Sequence, residues 1–185
     1  MKKIVLSLLF IMAMISTSSA QKARRYFYAN QPTGITFGAD VLEEAQFKVS
    51  AYSHYVYFSF SSNFKSTDGT TEGYKSEEVA SAGLQNKGSF GITQYNLGAM
   101  LPLKIDYTYG IYIAPQGAYA RKFDIYENTT KKFKGPVSNE YGAAVDFMYI
   151  DRTGITFQAG VSALYGGENE TVYLSGLNIG VGYSF

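Results

Sequence analysis

The sequence predicts an all-β fold: an eight-stranded antiparallel, up-and-down, transmembrane β-barrel. Three observations predict it. Eight segments alternate apolar and polar residues with a period of two, and their apolar faces carry no charge. Glycine collects on the opposite faces, and short connections alternate with longer ones along the chain. The composition agrees, since 17 Tyr, 13 Phe and 19 Gly among 185 residues suit crowded, twisting strands better than helices. With no cysteine there is no disulfide framework, thiolate metal site or lipid-modified cysteine. A formal charge of +1 gives no basic excess for nucleic acid.

The chain divides into a leader (1–20), a lead-in (21–33) and a barrel domain (34–185). Met1-Lys2-Lys3 is a basic opening, Ile4 to Ile15 an apolar run, and Ser18-Ser19-Ala20 a small-residue cleavage site before Gln21, the pattern of a secretory signal peptide. As a helix the run would span roughly 18 Å, too little for a bilayer core of about 30 Å. Its removal takes two lysines and no acid, so the formal charge falls from +1 to −1. The lead-in carries Arg24 and Arg25 before Tyr26-Phe27-Tyr28 and reads as a periplasmic tail able to touch lipid headgroups.

The strands follow in order. Gly34 to Leu42 sets Ile35, Phe37, Ala39 and Val41 against Thr36, Gly38 and Asp40; Gln46 to Tyr52 sets Phe47, Val49 and Ala51 against Lys48 and Ser50. Tyr55 to Phe64 sets Val56, Phe58 and Phe60 against Tyr57, Ser59 and Ser61. Ser89 to Leu101 sets Tyr95, Leu97, Ala99 and Leu101 against Gln94, Asn96 and Gly98; Phe90 and Ile92 are out of phase, which predicts a bulge near Thr93 or a turn of the strand above the membrane. The fifth strand sets Ile105, Tyr107, Tyr109, Ile111 and Ile113 against Asp106, Thr108, Gly110 and Tyr112, with a bulge expected at Pro115, which has no N–H. Glu140 to Ile150 sets Tyr141, Ala143, Val145, Phe147 and Tyr149 against Gly142, Ala144 and Asp146. Gly154 to Tyr165 sets Ile155, Phe157, Ala159, Val161 and Ala163 against Thr156, Gln158, Gly160 and Ser162. The last strand sets Leu177, Ile179, Val181, Tyr183 and Phe185 against Asn178, Gly180, Gly182 and Ser184.

Alternation alone fits a soluble barrel with an apolar interior as well as a membrane barrel with an apolar exterior. The glycines decide between them. A surface facing water has no need of residues that weaken strands, whereas an eight-stranded lumen is only just wide enough for side chains. The connections agree: Ser53-His54, Pro102 to Lys104 and Asp151-Arg152 are tight turns at one end, while Lys65 to Gly88, Lys122 to Asn139 and Gly166 to Glu170 are loops at the other. The loops mix both charge signs with Gly, Ser and Thr and are expected to be solvated and mobile.

Asn178, Gly180, Tyr183 and Phe185 match the polar-x-Gly-x-x-aromatic-x-aromatic ending of many Gram-negative outer-membrane barrels. On these residues the chain resembles the small eight-stranded outer-membrane barrels of OmpA-like and OmpX-like architecture. That resemblance implies an outer-membrane location, contact with outer-membrane lipid and lipopolysaccharide, and a C-terminal signal read by the barrel-assembly machinery. Tyr95, Tyr107, Tyr141, Tyr149 and Tyr183 are candidates for the aromatic girdle, tyrosine serving alone because the chain lacks tryptophan.

Chemistry is sparse. The sole histidine, His54, stands beside Ser53 in a tight turn; adjacent strand residues point apart, and this end is opposite to the outer leaflet on which barrel lipid A enzymes act. Asp40, Lys48, Asp106, Glu140 and Asp146 form a candidate lumen charge network, structural pairing being favoured over a carboxylate site because an unpaired buried charge is costly. Arg121 or Lys122 could reach into the mouth to balance the acids. Asn128-Thr129-Thr130 and Asn169-Glu170-Thr171 are sequons by spelling only.

The expectation is a monomeric, non-enzymatic outer-membrane protein, without cofactor or metal, that acts structurally or meets an external ligand or protein through its loops. The rivals are a narrow solute transporter, a lipid A-modifying enzyme and a soluble secreted barrel.

Overall fold

The computed structural model describes residues 32–41, 44–71, 83–166 and 171–185. The leader, most of the lead-in with Arg24 and Arg25, and the Asn169 sequon lie outside the described residues.

Ten strand segments build the molecule: β1 (Thr33–Asp40), β2 (Gln46–Ser53), β3 (Val56–Ser62), β4 (Gly69–Thr70), β5 (Gln85–Ala99), β6 (Leu101–Ile105), β7 (Tyr109–Glu127), β8 (Lys132–Asp151), β9 (Ile155–Gly166) and β10 (Thr171–Ser184). β5 and β6 follow one another along the same edge of β7, so they form one stave, and β4 lies in the loop between β3 and β5. The other segments give seven staves, and antiparallel pairing of β1 with β10 closes the eight into a barrel. Closure leaves no open edge around the wall, which a bilayer requires because lipid cannot hydrogen-bond a free backbone group.

The period-two pattern sorts the wall as the sequence predicts. Thr36, Asp40, Lys48, Ser50, Ser59, Gln94, Asn96, Gln116, Asp146, Thr156 and Gln158 are buried, whereas Phe37, Phe47, Phe58, Leu97, Phe147, Phe157, Ile179 and Val181 stand exposed. A chain that buries its amides and acids and exposes its Phe and Ile has the inverse polarity of a soluble protein, and fits a solvent that is lipid.

Several expectations about the strands are corrected. The turn expected at Pro102 to Lys104 falls instead at Asp106 to Thr108, where Asp106 N–H donates to the Tyr109 carbonyl at 2.8 Å. Pro102 to Lys104 is strand within β6, with a bulge at Leu103 where the β6–β7 register shifts. Pro115 introduces no bulge, since the β7–β8 register passes through its pair with Val145. It does loosen the other ladder. Regular pairing lapses between the Gly98–Gln116 and Leu101–Ile113 partners with no change of register, and that gap separates β5 from β6.

No bulge occurs at Thr93 either. Ile92 is an apolar residue on the inward face, in phase with buried Gln94 and Asn96, and the true β5 bulge lies between Asn86 and Phe90. The expected loop from Lys122 to Asn139 is mostly strand: β7 and β8 continue as a ribbon to a turn at Asn128, whose side-chain Oδ1 accepts from the Thr130 and Lys131 amides.

Candidate functional site

The lumen is filled from end to end. β8 gives the order along the axis, its inward residues running from Ile150 and Met148 at the turn end through Asp146 and Ala144 to Glu140 near the loops. At the turn end Tyr52, Tyr57, Met100, Tyr112, Ala114, Met148 and Ile150 pack together. The Tyr52 hydroxyl bonds Ser184 Oγ at 2.6 Å and Thr156 Oγ1 at 3.0 Å, so the polar tip of this apolar layer is satisfied.

The central layer is built on Asp146, which is fully buried. Lys48 Nζ reaches it from β2, across the lumen, with bonds of 3.0 and 2.9 Å to its two oxygens. Tyr57 OH donates to Oδ2 at 2.7 Å and Gln116 Nε2 at 2.9 Å. From Gln116 a chain continues: Ser59 Oγ donates to Gln116 Oε1, Asn96 Nδ2 to Ser59 Oγ, and Gln94 Nε2 to Asn96 Oδ1. A buried ion pair is tolerable when its remaining lone pairs find donors. Here they do. Gly160, paired with Asp146, leaves the room, since a Cβ there would lie 1.9 Å from Asp146 Oδ1.

The loop-end layer returns to apolar packing, with Ile92, Ala118, Ala120 and Leu164 against Phe90 and Tyr173. Glu140, the register partner of Ala120, is buried at the same level and accepts from the Tyr173 hydroxyl. Lys122 does reach the mouth, with Nζ 4.1 Å from the Phe90 ring centroid and 5.1 Å from that of Tyr173.

The structure therefore brings Lys48 and Asp146 together and buries Glu140 in a separate cluster, six residues farther along β8 toward the loops. Asp40 is buried on β1 in a niche left by Gly176, and among the described residues its Oδ1 has no hydrogen-bond partner. Asp106 does not belong to the lumen. It is exposed in the β6–β7 turn, where Oδ1 accepts from Tyr107 N–H at 2.6 Å, because the real turn falls later than the sequence suggested. Arg121 is exposed on the outer wall, not in the mouth.

Outside, Tyr95, Tyr119, Tyr141 and Tyr165 are register partners on four neighbouring staves and make a continuous tyrosine row toward the loop end. Tyr119 stacks with Tyr95 at 6.5 Å between centroids and meets Tyr141 at 5.4 Å. Tyr119 and Tyr165 escaped the sequence reading. The signal was present, because the outward phase of Ile111 and Ile113 continues through Pro115 and Gly117 to Tyr119. Tyr149 and Tyr183 lie toward the turn end, and Tyr107 is in the β6–β7 turn with 77% exposure. The terminal residues divide by face: Asn178 points inward and accepts from Gln158 Nε2, Gly180 pairs with Gly38, and Tyr183 faces outward with its ring 5.7 Å from that of Phe185.

Ser53 Oγ lies 2.9 Å from His54 Nδ1, so the turn does bring these neighbours together, His54 taking a φ of 59°. Both are exposed at the turn end, and among the described residues no carboxylate orients the imidazole.

Beyond the tyrosine row, β7 runs from Ala120 to Glu127, roughly 25 Å along the strand. β5 borders this ribbon through Gln85 and Asn86, and β4 adds to the far edge of β8 in parallel, Gly69 opposite Phe133 and Thr70 opposite Lys134. Asp68 clasps the strap, its N–H donating to the Lys132 carbonyl at 2.7 Å while Oδ2 accepts from Lys132 N–H at 2.9 Å. Glu44 ties the first loop to the same end, accepting from Asn63 and Ser89 and pairing with Lys65 at 3.0 Å.

The wall and the filled lumen define a class: the fold is that of the small eight-stranded outer-membrane barrels. No protein-family model and no curated protein sequence matches the chain. Among solved structures it is similar to the N-terminal β-barrel domain of Pseudomonas aeruginosa OprF, at 10% identity over 83% of this chain and 97% of that one, with a TM-score of 0.47. It is also similar to the Yersinia pestis outer membrane protein Ail in a phospholipid bilayer nanodisc (12%, 84% and 99%, TM-score 0.48). Neisserial surface protein A, NspA, is a third (14%, 84% and 96%, TM-score 0.45).

Proposed function

We propose that this chain is an integral outer-membrane protein without enzymatic activity, whose barrel anchors a stiff loop-end platform that meets partners outside the cell. The observation that carries this reading is the β5–β7–β8–β4 extension beyond the tyrosine row. Solvated loops need no such framework, whereas a contact surface gains from one, because a preorganised surface loses less entropy on binding. The plugged lumen supports anchoring over transport. The exposed Ser53–His54 pair at the opposite end supports no lipid chemistry in the outer leaflet.

The tyrosine row and the turn-end aromatics act in this reading as the two girdles, and the C-terminal Asn178, Gly180, Tyr183 and Phe185 as the signal to the assembly machinery. The experiment is surface labelling of intact cells. A cysteine placed at Asn128, in a chain with no other cysteine, reacts with a membrane-impermeant maleimide, whereas one placed at Arg152 reacts only after the outer membrane is opened. Labelling at Arg152 but not Asn128 on intact cells would reverse the orientation and overturn the proposal.

A further inference from the structure

The outer wall carries a cleft at the loop-end side of the tyrosine row. It has a volume of about 360 Å³ and is lined by Thr93, Tyr95, Tyr119, Arg121, Phe123 and Lys134. A second cleft of about 360 Å³ adjoins it through Thr93 and Phe123 and extends toward Phe64 and Lys65. The cleft is floored by Phe123, which lies against β5 where Gly91 has no side chain. The Phe123 ring of β7 lies in that space, and a Cβ at Gly91 would fall 2.0 Å from it.

Its position is set by register. Arg121 is the next outward residue of β7 beyond Tyr119, so its Cα is about 7 Å farther along the strand than that of the tyrosine row. Tyr95 and Tyr119 mark the boundary where an apolar ring meets hydrated headgroups. Lys134 stands 5.0 Å from the Phe123 ring centroid. Among the described residues no carboxylate pairs with Arg121 or Lys134, whereas Lys65 is held by Glu44 and Lys132 by Glu127. Two cations without acidic partners thus flank an aromatic-floored cleft immediately outside the apolar belt.

We propose that this cleft binds a phosphorylated lipid of the outer leaflet, its headgroup phosphate held between Arg121 and Lys134 and an acyl chain descending over Tyr95 and Tyr119. The chemistry matches at each level. A guanidinium fork takes phosphate oxygens in paired bonds, a lysine adds a point charge, and the tyrosine faces take a methylene chain. The site rests on the proposed membrane insertion and orientation.

The test is native mass spectrometry of the full mature protein released from micelles containing lipid A, dephosphorylated lipid A or inorganic phosphate. Wild type is expected to retain lipid A, with the dephosphorylated form retained about tenfold less, the scale of a lost charged hydrogen bond. Arg121→Gln, alone or with Lys134→Gln, lowers lipid A retention by about the same factor. Lys104→Gln, at the turn end of the wall, leaves it unchanged. Each variant is checked by cold and boiled electrophoresis, so that a barrel that folds but does not retain lipid overturns the site alone, and a chain that forms no barrel overturns the insertion with it. Equal retention of the two lipids, or by the Arg121→Gln variant, overturns the site. Displacement of lipid A by millimolar inorganic phosphate overturns its assignment to a lipid.

Discussion

Lys48 and Asp146 meet across the lumen from β2 and β8, and Asp146 also draws in Tyr57 of β3 and Gln116 of β7. One carboxylate thereby fixes four staves. Lys48→Met leaves that carboxylate buried without its counter-charge, which costs about 3–5 kcal/mol. Urea unfolding in detergent micelles should show this loss, and Asp146→Asn added to Lys48→Met should recover most of it, because the amide oxygen still accepts from Tyr57 and Gln116. A single variant as stable as wild type would remove the pair from the account. At the loop end Glu44 behaves differently. Burial acts to raise its carboxyl, but the hydrogen bond and charge of Lys65, with donors from Phe90 and Ser89, outweigh that and hold it below the usual carboxylate range. A carboxyl lowered by folding stabilises the folded form above its unfolded pKa and loses that contribution as pH falls through its folded value. The clasp between the first loop and Lys65 should therefore hold at neutral pH and open only in acid below the ordinary carboxylate range, read as faster proteolysis of the Lys65 segment, with Glu44→Gln opening it at neutral pH.

At the scale of elements, how much was legible followed from what enforced the pattern. Where lipid meets the wall, each outward position must be apolar, so all eight staves could be read from alternation. The tight turns were less visible, because Pro102 resembles a turn residue and the bulge beside it interrupts the alternation that would mark the segment as strand. Ile92 misled for a related reason: the lumen is polar in its centre but apolar near the loops, so an apolar residue does not by itself face lipid. The β7–β8 ribbon was hidden because beyond the tyrosine row the apolar-polar alternation ends in Arg121, Lys122, Phe123 and Asp124, and the register shifts between Phe123 and Ile125. Cross-strand hydrogen bonds and the β4 strap hold it instead. Asp68 supplies two contacts of that strap through its amide and carboxylate. Asp68→Ala removes the side-chain bond and should raise amide exchange at Lys132 and Lys134 severalfold, leaving exchange in β9 and β10 unchanged. Unchanged protection at Lys132 would mean that the strap does not depend on this clasp.

For the whole molecule, the 46% hydrophobic fraction is that of an ordinary soluble domain. Only its distribution betrays the bilayer, with Phe, Tyr, Leu, Ile and Val on the outside and glycines, amides and one ion pair within. The apolar layer at each end and the Asp146 network between them occupy the lumen, so planar bilayers containing the protein should show no sustained conductance; stable ion-selective openings would favour transport. The central claim, a closed barrel inserted in the outer membrane, is tested most directly by electrophoresis of the membrane fraction with and without boiling. The unboiled protein should stay folded in detergent and migrate at a different apparent size from the boiled one. A chain found in the aqueous fraction, with identical migration in both conditions, would contradict it.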